Sequence, residues 1–194
     1  IRITYGPHAP YTCPVDYLEK VIAEAAANKA EIQMHLCETK FEVDTVVKEH
    51  GMTPIQLMYK LGMFELGTIA AHCVHLTDED MDIMAAKHVR VAHNPQSNLK
   101  LASGIAPVSR FLKEGIPVAI GTDGAGSNNC LDMFREMFLV TGLAKLREQN
   151  AAACPAEAVL KMATVGGAAA MGLKDCDCIA EGKQADLIVI DLHQ

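Results

Sequence analysis

Five short apolar runs punctuate the chain, at residues 1–5, 30–35, 68–72, 89–93 and 116–120, and each is followed by a polar loop and then a helix-patterned segment. Runs of this length, β-branched or alternating and bounded by Gly, Pro and Asn, read as strands. In the second run Ile32 and Met34 fall on one side, and Glu31, Gln33 and His35 on the other. The intervening segments carry apolar residues at helical spacing. Pro14 opens one with Val15, Leu18, Val21, Ile22 and Ala25 on a single face, and residues 41–49 and 54–61 follow the same pattern. Thr77 and Asp80 form a capping box for a helix through Lys87. Pro107 starts another, with Ile105, Val108, Phe111 and Leu112 inward and Gly115 as its stop. Strand, loop and helix in such alternation demand a parallel sheet with βαβ crossovers. Beyond the fifth run the pattern predicts a helix over 131–146 with Phe134, Met137 and Phe138 on one face. A late helix starts from Pro155 with Val159, Leu160 and Met162, and an isolated strand covers 186–191.

The polar residues at the ends of these runs are His8, His35, His72, His93 and Asp123. A parallel barrel would bring all of those C-terminal ends to one mouth. Any one of them alone suits a turn cap or a hydrogen-bonded structural role. Their recurrence in register with one another favours a metal or catalytic site. Asp123 sits in a loop, residues 121–129, too rich in Gly and Asn to belong to a core. Glu38 lies three residues past His35, and a chain turning at its strand end lets both reach the mouth. Neutral imidazole ligates zinc, and a carboxylate beside it carries protons without binding metal. His-x-x-Glu alone is a weak signal. Of His72 and His75, the first stands at the strand end and faces the mouth, and the second reads as structural.

Composition removes several classes of function. The 194 residues allow one domain with a proper core. There are 24 acidic against 17 basic residues and no Lys/Arg cluster, which argues against nucleic acid or an anionic membrane as partner. No apolar run has the length of a membrane span, and no signal-peptide pattern is present. Seven scattered cysteines fit a reduced, cytoplasmic compartment, with Cys176-x-Cys178 read as a loop accident for want of a second pair. Phosphate-cradling, nucleophile-elbow and HExxH motifs are absent, as is the HxE with PCxxC of cytidine-type zinc deaminases.

Residues 34–39 (MHLCET), 70–75 (AAHCVH), 92–101 (AHNPQSNLKL) and 121–125 (GTDGA) resemble the amidohydrolase superfamily. Within it they are most similar to the 5-methylthioadenosine/S-adenosylhomocysteine deaminases, relatives of the triazine hydrolases. The resemblance implies an α/β fold: the C-terminal half of a (β/α)8 barrel over residues 1–175. Residues 176–194 would lead toward a small β-sandwich, beginning with a returning strand. It implies metal-dependent hydrolytic deamination of an adenine nucleoside thioether, 5-methylthioadenosine or S-adenosylhomocysteine, with release of ammonia and with one divalent metal, zinc by first choice and iron or manganese as alternatives. His35 and Asp123 would be metal ligands and Asp123 also the proton acceptor. Glu38 would shuttle protons to the ring and the leaving ammonia, and His72 would hold the attacking hydroxide. His8 would contact the sugar or thioether side, and His93 with the loop 94–98 would shape the mouth. The family's HxH ligand pair is absent from this sequence, so the chain is expected to correspond to the C-terminal part of a longer protein. Two other readings stand beside this one. One is a triazine, guanine or pyrimidine hydrolase of the same superfamily; the other is a non-catalytic half-barrel without metal. A homo-oligomer is compatible with either.

Overall fold

The structure is a computed structural model, and it describes residues 3–191. A four-stranded parallel sheet forms its spine, in the order β1 (Ile32–Leu36), β2 (Thr68–His72), β3 (Arg90–His93), β4 (Val118–Ile120). Leu36 pairs with His72, Ala71 with Ala92, and His93 with Ile120, so the C-terminal strand ends run level. Of the expected first strand, Tyr5 makes an isolated parallel bridge to Ile32, while residues 1 and 2 lie outside the described residues. β4 is preceded by Pro117, which has no N–H to give the ladder but whose carbonyl accepts the Val91 N–H at 2.8 Å.

Each strand is followed by helix. α1 (Val15–Ala27) precedes β1, and α2 (Lys40–His50) and α3 (Pro54–Lys60) separate β1 from β2. α4 (Asp78–Ala86) follows β2; α5 (Pro95–Lys100) and α6 (Val108–Lys113) follow β3. After β4 come α7 (Ala125–Asn128), α8 (Met133–Glu148), α9 (Ala156–Ala163) and α10 (Val165–Ala170). The starts are locally encoded. Thr53 with Gln56 and Thr77 with Asp80 form reciprocal capping boxes, and the Thr39 hydroxyl accepts from the Glu42 amide. Gly115, left-handed at φ 73°, ends α6 as its position predicted.

One face of the sheet is the core. Ile32, Met34, Leu36, Val91, Val118 and Ile120 pack with Leu18, Val46, Ile55, Met81, Met84 and Phe111 from the helices. The other face carries Gln33, His35, Ala71, Ala92 and Ala119 along a cleft, so the alternation expected in β1 is present. Four consecutive βα units with level strand ends and a helix layer on one side have the architecture of half a (β/α)8 barrel.

Several expectations are corrected. Residues 94–98 are not an open loop: α5 starts at Pro95, whose missing N–H suits a first helical turn. Likewise α7 interrupts the loop over 121–129. The Phe134/Phe138 face of α8 points away from the protein, with Phe138 76% exposed, and Glu136, Val140 and Ala144 are buried instead. Leu112 and Leu160 are also exposed, because neighbouring helices reach only the other side of α6 and α9. Residues 186–191 form no strand among the described residues. A strand needs a paired edge, and here Val189 is fully exposed.

Candidate active site

Left-handed residues turn the chain at three strand ends. Cys37 follows β1 at φ 54°, His72 and Cys73 close β2 at 72° and 49°, and Asp123 follows β4 at 59°. Non-glycine residues pay for this conformation and hold it only where surroundings impose it, as at functional sites. The turn at Cys37 is why His35 and Glu38, three apart, both reach the mouth. It is braced from behind: the buried Glu42 carboxylate accepts the backbone N–H of Cys37 and of Glu38, each at 2.8 Å. Burial pushes the Glu42 carboxyl up, against the pull of those amides.

The structure brings His8, His35, Glu38, His72 and Asp123 to the same end of the sheet. The His35 ring lies 5.0 Å from that of His8 and 5.5 Å from that of His72, stacked on the latter at 26°. His35 Nδ1 donates to the His8 carbonyl at 2.7 Å, which leaves Nε2 of the neutral ring with a free lone pair. His72 is buried, and its Nδ1 donates to Asn98 Oδ1 at 2.8 Å. Its Nε2 then faces Glu38 Oε2 at 3.7 Å. The other Glu38 oxygen accepts from the Ser103 hydroxyl at 3.0 Å. Asp123 accepts from the Ser97 hydroxyl at 2.6 Å and from the Gly124 amide at 2.7 Å. Burial pulls its carboxyl up, but those two donors and the His72 and His35 rings outweigh it and hold the group below the usual aspartate range. His8 is exposed, with Nδ1 on the Thr12 hydroxyl at 2.6 Å.

His93 is placed differently from the mouth position expected of it. It alternates with Ala92, so it turns away from the cleft that Ala92 lines and is buried with no partner at Nδ1. Burial, with the His72 ring beside it, lowers its pKa to about 3. His75 donates Nε2–H to the Ser103 carbonyl at 2.6 Å, a structural contact. Ser97, Asn98, Ser103 and Glu42 were not singled out from the sequence. Ser97 and Asn98 lay inside a quoted motif and Glu42 sits one helical turn past Glu38, but nothing in its spacing marks Ser103.

The cleft encloses about 290 Å³ between Gln33, His35, Ala71, Ala92, Asn94 and Asp123. A Cβ at Gly121 would overlap Asn94 Oδ1, so a side chain there would have to displace Asn94. The donor chemistry, an imidazole Nε2 oriented through its Nδ1–H and a carboxylate held ionised, fits part of a divalent-metal shell. Among the described residues, no three His, Cys, Asp or Glu side chains converge as a complete one. All seven cysteines are free thiols.

The amidohydrolase family profile matches residues 1–194. The 5-methylthioadenosine/S-adenosylhomocysteine deaminase of Dictyoglomus thermophilum is 48% identical over the whole chain, which covers 46% of that protein. A 5′-deoxyadenosine deaminase of Methanothermobacter thermautotrophicus is 46% identical, with 45% of it covered. The chain thus spans about half the length of the curated relatives it matches. Among solved structures, an adenosine deaminase from Xanthomonas campestris with bound zinc superposes with TM-score 0.90 at 39% identity, over 94% of this chain and 42% of that one. The fold is therefore the half-barrel that the family resemblance implied, built on the parallel sheet that the strand pattern predicted.

Proposed function

The chain belongs to the amidohydrolase family, and from that premise we propose that the protein is a hydrolase that deaminates adenine nucleosides carrying a 5′-deoxy or 5′-thioether group. 5-Methylthioadenosine and S-adenosylhomocysteine are the first candidates. The observation that carries this reading is the relay at the strand ends: Glu38 facing His72 Nε2 across 3.7 Å, with Asp123 and His35 beside them. The names of the relatives at 46–48% identity support the substrate class.

In this proposal His35 Nε2 and Asp123 are two ligands of a divalent metal, with zinc the leading choice. When bound, the metal lowers the pKa of a water toward ~7. Asp123, held ionised by Ser97 and Gly124, accepts a proton at Oδ1 or Oδ2. His72 is fixed by Asn98 in the tautomer that leaves Nε2 facing Glu38, and in this role it orients the attacking oxygen. Glu38 passes that proton on to the ring nitrogen and then carries the proton of the added hydroxyl to the amine, which leaves as ammonia, and Ser103 fixes one of its oxygens. His8, exposed at the rim, and the buried His93 behind the mouth are assigned to substrate contact and to shaping the site, respectively. On the same footing, residues 1–175 are assigned to the barrel and 176–194 to the segment leading toward a sandwich domain.

The test is ammonia release by the full-length protein from 5-methylthioadenosine, S-adenosylhomocysteine, 5′-deoxyadenosine, guanine and a chlorotriazine. Preference for the adenine nucleosides is the expected result. Turnover confined to guanine or the triazine would replace this reading with its nearest rival.

A further inference from the structure

We propose that Glu136, on α8 and outside the reacting groups, is a positioning residue that sets the conformation of Asp123. Its side chain is fully buried, yet neither carboxylate oxygen serves its own helix, whose first amides, Phe134 and Arg135, are capped by Asp132. Both oxygens reach outward to two different segments. Oε2 accepts the backbone N–H of Gln96 at 3.1 Å, at the start of α5. Oε1 accepts from Asn128 Nδ2 at 2.5 Å.

From there the network closes on one residue. Next to Gln96 stands Ser97, whose hydroxyl donates to Asp123 Oδ2 at 2.6 Å. The second hydrogen of Asn128 Nδ2 goes to the Thr122 carbonyl at 2.6 Å, in the peptide unit that leads into Asp123. Asn128 Oδ1 accepts the Cys130 and Leu131 amides, both at 3.1 Å, so every polar group of that side chain is committed. Asp123 is thereby held from its side chain and from its backbone, and both paths converge on the one carboxylate.

Two physical arguments make this more than packing. A buried carboxylate is expensive to maintain, and an apolar side chain at this place would fill the space without that cost. It is held chiefly by the amides it grips, with the charge of the neighbouring Arg135 a smaller contribution. Asp123 also has a left-handed backbone that a non-glycine residue keeps only when its surroundings impose it.

The inference rests on the reading of Asp123 given above, so its test includes a measurement independent of turnover. In the full-length protein, Glu136→Gln replaces one acceptor by a donor facing either the Gln96 amide or Asn128. A fall in kcat of about 10- to 100-fold is expected, with KM within about threefold, because misplacement of a reacting group acts on the chemical step. Amide hydrogen exchange over residues 94–98 and 121–129 should quicken by at least about tenfold while residues 32–36 stay protected. Asn128→Ala removes the Thr122 contact together with those to Glu136 Oε1 and the Cys130 and Leu131 amides, and leaves the Gln96 and Ser97 contacts in place, so exchange should quicken over 121–131 and not over 94–98. That variant decides the matter if Glu136→Gln fails to accumulate. Uniform or unchanged exchange in both variants overturns the inference, as does wild-type kcat in both. If the wild-type protein deaminates none of the nucleosides, the functional reading fails, and the exchange pattern still decides the role of Glu136.

Discussion

Asp123 and Glu38 are both acids at strand ends, but their surroundings separate their roles. Asp123 is locked by a hydroxyl and an amide and sits near two imidazoles, whereas Glu38 keeps one oxygen toward His72 across an open gap. Asp123→Asn in the full-length protein is expected to lower kcat by at least ~10²-fold, since an amide accepts no proton and ligates poorly; steady-state ammonia release with metal analysis checks this. Glu38→Gln is expected to keep its metal and lose turnover, and loss of metal together with activity would instead make Glu38 a ligand. His93 supports a different expectation. With its pKa lowered to about 3 in the folded protein against ~6.5 unfolded, the unfolded chain binds the extra proton between those values. The stability His93 provides by staying neutral is complete above pH ~6.5 and is lost as pH falls toward about 3. Urea unfolding of His93→Leu across that window should show a shallower acid decline than the wild type.

Among the elements, α10 lies tight against β4. A Cβ at Gly166 would stand 2.9 Å from the Val118 carbonyl of β4 and 3.0 Å from the Lys161 carbonyl, both backbone atoms that cannot swing aside. At Gly167 the nearest atom is the Met162 carbonyl at 3.8 Å, an ordinary contact. Gly166→Ala is therefore expected to destabilise by about 1–3 kcal/mol through overpacking, and Gly167→Ala by much less, as thermal denaturation of the two variants side by side will show. Arg90 supports the same contact from β3, donating to the Ala170 carbonyl at 2.7 Å. In α8 the helix itself was foreseeable from spacing, but the direction of its aromatic face was not. Phe134 and Phe138 share a stripe whichever way the helix rolls, and the roll is settled by Glu136 reaching Gln96 and Asn128.

For the molecule as a whole, the described sheet has β4 at one edge and only the Tyr5 bridge beyond β1 at the other. Unpaired edges recruit other chains. The donor set near the mouth is also short of the three protein ligands a catalytic zinc commonly takes. A polypeptide of residues 1–194 alone is accordingly expected to bind zinc weakly and substoichiometrically and to release no ammonia. Mass-spectrometric metal content of that polypeptide checks it, and stoichiometric zinc with turnover would show that His35, His72 and Asp123 suffice.

Short-range chemistry was legible in the residue order. Strand positions, the capping box at Thr77, the stop at Gly115 and the histidines and acid at the strand ends depend on neighbours within a few positions, and periodicity reports such neighbours directly. The family motifs lie at those same ends, so the half-barrel could be anticipated from them. Long-range placement was not legible. The inward turn of Glu38 needed a left-handed Cys37 braced by Glu42, and the burial of His93 followed from its alternation with Ala92 across a cleft wall. Residues 186–191 have strand-like composition and yet no strand, because a ladder needs a second backbone and none of the described residues offers one. Spacing along one segment carries no information about which distant segment, if any, will pack or pair against it. Only the folded arrangement, in which residues 26 to 65 positions apart meet as Ser97 meets Asp123 and Ser103 meets Glu38, decides that.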